Sequence, residues 1–130
     1  MPLTTYQHNA FLNALFGSGT PATLYLALFT AAPTIAGGGT EVTGGSYARK
    51  AVTNNSTNFP AASGGVKSLG VAQAFVTASA DWGSVVACGI YDASSGGNLI
   101  GFATVTTQVV PSGVTVTVAA GSTITLAAAA

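Results

Sequence analysis

The hydrophobic period of this chain changes once. As far as residue 17 the apolar positions fall at helical spacing, and from Leu24 onward they alternate with a period of two. One short helix followed by strands is the fold that such a pattern permits. Thr4-Thr5-Tyr6-Gln7 has the spacing of a capping box, in which the Thr4 hydroxyl accepts from the Gln7 amide and the Gln7 side chain reaches back. Phe11, Leu12, Ala14, Leu15 and Phe16 supply the apolar stripe, and Gly17 with Gly19 ends the element. A helix this short does not stand alone in water, so its stripe must dock on its own sheet or on a neighbouring subunit.

Leu24, Leu26 and Leu28 point one way while Tyr25, Ala27 and Phe29 point the other, which makes a first strand buried on both faces and ended by Pro33. Residues 34 to 46 hold five glycines around Glu41 and predict a long loop, mobile or ordered by a partner. Further strands are expected at Tyr47 to Thr53, Val71 to Thr77, Val85 to Tyr91 and Leu99 to Val105. A closing hairpin is expected from Val109-Val110 through Pro111-Ser112-Gly113 to Val114–Val118, with a last strand over Thr123 to Leu126. The sum is a mainly β fold, an antiparallel β-sandwich or barrel of about seven strands with one short N-terminal helix. At 130 residues this is one domain, 1–130, with residues 1–17 as a helical arm and 18–130 as the β-sandwich.

Charge is scarce. Glu41, Asp81 and Asp92 stand against Arg49, Lys50 and Lys67, only 5% of the chain where soluble domains sit near a quarter. Three bases give no electrostatic footprint for nucleic acid or an anionic membrane. Thr, Ser, Gly and Gln interrupt every apolar run well short of a membrane helix, so no membrane partner is expected. Hydroxyls and amides that find hydrogen bonds are cheap to dehydrate whereas unpaired charges are not, so a surface made this way suits permanent cover by neighbouring subunits. Strand-borne Arg49 needs a carboxylate, either Glu41 or Asp92. With few lysines to guard them, strand edges must be closed, covered or shared.

Chemistry is sparse too. His8 is the only histidine and lies in the first turn of the helix, no Gly-x-Ser-x-Gly elbow occurs, and no pair of carboxylates is placed for acid–base work, so no catalytic residue is assigned. Asp92-x-Ser94-x-Gly96 starts like a calcium loop but lacks its closing Glu, leaving turn capping as the role of both Asp81 and Asp92. Single Cys88 offers neither a disulfide nor a metal set and reads as a small buried side chain. No cofactor and no metal is expected. Trp82 and Tyr91 have the ring chemistry to contact a host-surface glycan, with core packing as the competing role.

Three segments resemble a known family: Leu24-Tyr25-Leu26-Ala27-Leu28-Phe29-Thr30-Ala31-Ala32-Pro33-Thr34 with Gly39-Thr40-Glu41-Val42 and Tyr47-Ala48-Arg49-Lys50-Ala51-Val52; Trp82-Gly83-Ser84-Val85 with Ile90-Tyr91-Asp92-Ala93 and Gly97-Asn98-Leu99-Ile100; and the closing Val116 to Leu126. Together they are similar to small tail-fibre-like virion structural proteins of tailed bacteriophages. The resemblance implies a non-enzymatic β-rich subunit made in the host bacterial cytoplasm and built into the virion. Expected partners are copies of itself, as a trimer, and other phage structural proteins. Assembly is expected to run through Phe11, Leu12, Leu15 and Phe16 of the helix and through Glu41 and Arg49. The alternatives are a capsid decoration protein and a receptor- or glycan-binding module.

Overall fold

Thr4 starts the helix. Its Oγ1 accepts from the Gln7 amide at 3.4 Å, the first of the two expected capping-box bonds, and α1 runs Thr5–Leu15. In the computed structural model, which describes residues 1–125, α1 is followed by nine strands: β1 Thr23–Ala31, β2 Thr40–Glu41, β3 Lys50–Thr53, β4 Val66–Ser68, β5 Gln73–Ala74, β6 Gly83–Tyr91, β7 Leu99–Val110, β8 Thr117–Val118 and β9 Thr123–Thr125. The fold is mainly β and antiparallel with one short helix, as the periodicity dictates. Leu126, the expected end of the last strand, and the Ala127–Ala130 tail lie outside the described residues.

The chain divides into two compact units, each drawn from discontinuous segments. One comprises residues 1–23, 53–73 and the closing segment from Val118. Here β4 pairs with β9, Val66 facing Thr125 and Ser68 facing Thr123. Leu12 of α1 and Phe16, its C-cap, are 3% and 4% exposed, and Phe16 packs on buried Phe59 with ring centroids 5.5 Å apart. Two asparagines one helical turn apart tie α1 to the β4 region. Asn9 Oδ1 accepts from the Gly65 amide, and Asn13 Oδ1 accepts from the Ala62 amide and from Lys67 Nζ at 2.8 Å. The helix is thus part of this unit and not a separate arm, because its inward face is bonded as well as apolar.

Buried Asn54 finishes the helix. Its Nδ2 donates to the carbonyls of Leu15 and Pro21 at 2.7 and 2.9 Å, and its Oδ1 accepts from the Gly17 amide. These bonds take up groups that every helix C-terminus leaves open. Gly17 adopts φ +87°, and a Cβ there would stand 2.6 Å from the Phe59 carbonyl oxygen, so the position excludes any other residue.

The second unit, 24–52 with 74–117, holds a five-stranded sheet in the order β2-β1-β6-β7, with β3 also pairing β1. β1 is buried on both faces from Leu26 to Phe29, as its unbroken apolar run requires. Tyr25 faces Tyr91 and Phe29 faces Ala87 across the β1–β6 pair. At Gly89 a Cβ would stand 2.9 Å from the Phe29 ring and 3.0 Å from Leu99, so glycine makes room for the aromatic core. The β6–β7 hairpin is irregular at two points: its register shifts between Ile90 and Tyr91, and Val85 faces Gln108 but Ala87 faces Thr104, so Val105, Thr106 and Thr107 stand opposite Val86 alone, a β-bulge.

Three expectations need correction. The 34–46 loop is not loose: β2 forms within it, Val42 is 3% exposed, and the Gly45 carbonyl accepts from Ser79 N and from Trp82 Nε1. Of the strand expected over Tyr47 to Thr53 only Lys50–Thr53 forms, although Tyr47 and Arg49 both reach the Glu41 carboxylate, as residues on one face do. The hairpin expected to join Val109-Val110 to Val114–Val118 does not form. β7 continues to Val110, and the following segment crosses to residues 75–78, with Phe75 N donating to Val116 O and Ala78 N to Val114 O.

Candidate functional site

The one tightly organised polar cluster in the second unit centres on Arg49. Its Nε and Nη2 donate to Glu41 Oε2 and Oε1, both at 2.9 Å, a bidentate fork. Nη1 donates to the carbonyls of Ala93 and Gly96, each at 2.8 Å, and the guanidinium lies 3.5 Å above the ring centroid of Tyr91. Four of the five guanidinium donors are used and the side chain is 7% exposed. β2 positions Glu41, the approach to β3 positions Arg49, the end of β6 positions Tyr91, and the β6–β7 turn offers the two carbonyls. Pairing with Glu41, of the two carboxylates the sequence offered, follows from the register that lays β2 beside β1.

Tyr47 extends the cluster inward. Its hydroxyl donates to Glu41 Oε2 at 2.8 Å and accepts from the Leu28 amide at 3.0 Å, standing in for a strand carbonyl on β1. The Val42 amide takes the Leu28 carbonyl, so both backbone groups are paired although no full strand runs there. Tyr47 stacks on Phe75 at 6.3 Å and meets Trp82 edge-on at 5.3 Å. Burial raises Glu41, but its hydrogen bonds from Arg49 and Tyr47 outweigh that and leave the carboxyl below its ordinary value. The Glu41 bond raises Arg49 further, and burial holds the Tyr47 proton firmly in place.

A shallow depression of about 350 Å³ lies over this cluster, lined by Glu41, Tyr47, Arg49, Ser94 and Gly96 among others. The hydrogen-bonding groups of Glu41, Tyr47 and Arg49 are bonded to one another or to backbone, so the cluster fixes loops and presents no nucleophile beside a base. Among the described residues no group of His, Cys, Asp and Glu is placed to hold a metal ion. Asp92 caps its turn as expected, Oδ1 accepting from the Asn98 amide at 2.7 Å, and that bond with a second one from the Asn98 side chain holds its carboxyl low. Asp81 Oδ1 accepts from the Ser112 amide. Burial pushes the Cys88 thiol up to about 11, the behaviour of an inert packed cysteine.

The remaining residues singled out by sequence fall differently. Leu12 and Phe16, expected to meet another subunit, face inward because the stripe docks within its own unit. Leu15 is half-buried and Phe11 is 51% exposed. Trp82, considered for glycan stacking, is 3% exposed with its indole N–H on the Gly45 carbonyl, so it is a core residue and offers no face to a sugar. Tyr91 carries Arg49 on its ring and stacks against Phe29 at 6.2 Å, so its faces are engaged too. Sequence reasoning missed Asn54, Asn13 and Lys67. Lys67 is 2% exposed, and burial lowers its pKa. The available signal was a lysine framed by Val66 and Leu69.

Fold and cluster define a class: a small antiparallel β protein whose best-organised polar site is an internal tie between loops, as in a scaffold. Residues 2–126 match the family described as podophage GP4 fiber I protein gp80, and the chain belongs to that family of phage fibre structural proteins. The match agrees with the resemblance carried by Leu24–Thr34 and the two later segments. A search of the curated proteins finds no match.

Proposed function

We propose that this chain is a non-enzymatic subunit of a bacteriophage tail fibre, held in the virion by contacts with copies of itself and with other structural proteins. One observation carries it: the surface holds very little free charge, because three of the six charged residues are buried or paired within the fold and two more cap turns at the surface. Arg49 and Lys67 have buried side chains, Glu41 is paired with Arg49, and Asp81 and Asp92 accept hydrogen bonds from backbone. A free monomer needs net charge for solubility, whereas a subunit covered by neighbours needs a surface that dehydrates cheaply. Exposed Tyr6 and Phe11 on α1 and exposed Val71, Val76 and Val109 elsewhere support the same reading.

Immunogold labelling of intact particles with an antibody to the chain tests it. Labelling confined to tail fibres is the expected result. Head-wide labelling would overturn it in favour of capsid decoration, and absence from purified virions would overturn it altogether.

A further inference from the structure

β7 is the longest strand, 12 residues, and it has one neighbour. Among the described residues its far edge has no backbone partner, so about 23 Å of strand, Ala103–Val109, presents open N–H and C=O groups. From Ala103 to Val109 every residue is exposed, whichever face it occupies. An edge of this kind is a template for another strand unless it is guarded by lysine, proline, inward charge or a bulge; the sequence Ala103-Thr104-Val105-Thr106-Thr107-Gln108-Val109 contains none of the first three, and the bulge at Val105–Thr107 is a feature that any partner strand has to match. Its β-branched residues favour extended pairing.

We infer that this edge is completed by β7 of a second copy, running antiparallel about a two-fold axis at Thr106. The bulge sets the axis. The regularly paired stretches on either side of it are Gly101–Thr104 and Gln108–Val110. Antiparallel pairing centred on Thr106 sets Thr104 against Gln108 and Ala103 against Val109, so the exposed ends of the two regular stretches meet and bulge meets bulge. A charge at the axis of such a pair would stand opposite its own copy. This edge carries no charge, so the isologous contact has no repulsion to overcome. The opposite edge of the sheet is a poorer match: it is broken into β2 and β3 and carries Glu41 and Lys50.

This contact deepens the fibre reading by naming the surface through which copies meet, and its test needs only the purified full chain. Sedimentation should show a dimer or an even-numbered multiple of one, and the trimer expected from the sequence would overturn the contact. Thr104→Lys/Thr106→Lys, both at exposed positions, should reduce that to half or less while leaving the circular dichroism spectrum unchanged. A Thr106→Cys variant in a Cys88→Ala background should cross-link to a covalent dimer on mild oxidation, since the residue at the axis faces itself, and Val71→Cys in the same background should not. A monomeric wild-type chain, an oligomer that survives the lysine pair, or equal cross-linking at Val71 would overturn the contact. Labelling of virions would still decide the fibre reading independently.

Discussion

The Arg49 guanidinium sits 3.5 Å above the Tyr91 ring while its edge grips both oxygens of Glu41. Stack and fork together require a planar cation, and an ammonium supplies neither. Arg49→Lys should therefore destabilise the protein by about 2 kcal/mol, and Arg49→Ala by about 3 kcal/mol since it leaves Glu41 and two carbonyls without their donor. Urea unfolding at neutral pH measures both.

Acid should unfasten the same tie. Glu41 loses its proton at lower pH when folded than the ordinary 4.5 of the unfolded chain, so its contribution is complete above that value and disappears as pH falls below it. Glu41→Gln should be less stable than wild type at pH 7 and should flatten the acid limb of the stability curve. Denaturant midpoints across the acid range decide it.

Asn54→Ala removes the acceptor of the Gly17 amide and the donor to the Leu15 and Pro21 carbonyls, all within a buried site. A loss of about 3 kcal/mol is expected from the polar groups left unpaired. Amide hydrogen exchange should show the last turn of α1 opening more than the sheet of the other unit.

Lys67→Met should stabilise by about 1 kcal/mol at neutral pH, because a buried ammonium bonded to one asparagine is replaced by an apolar chain of similar length. The folded pKa lies below the unfolded 10.5, so the penalty is fully present below the folded value and fades as pH rises towards 10.5. The difference between variant and wild type should shrink over that range. A difference that grows would contradict the assignment.

How much of this was legible in the sequence depends on the range of the interactions. β1 and β6 declare themselves because continuous or alternating apolar residues record burial within a few positions. The α1 cap is equally local. Arg49 with Glu41 was legible as a need, since so few carboxylates could meet it, although the register selecting Glu41 was not. β4 was missed because Val66-Lys67-Ser68 is too short to show a period and pairs with Thr123–Thr125 far along the chain. The failed closing hairpin has the same cause: Pro111-Ser112-Gly113 is good turn chemistry, but Val114 and Val116 find backbone partners at 78 and 75. For Trp82 and the α1 stripe the sequence left two roles open, core packing among them, because residue type alone does not tell which side an apolar group is covered from.

The pairing of β4 with β9 ties residue 66 to residue 125. During synthesis, then, the helix-bearing half of the protein waits unfinished while nearly sixty further residues leave the ribosome. A product terminated before residue 123 lacks the strand that pairs with β4, so this half closes only when that wait is over.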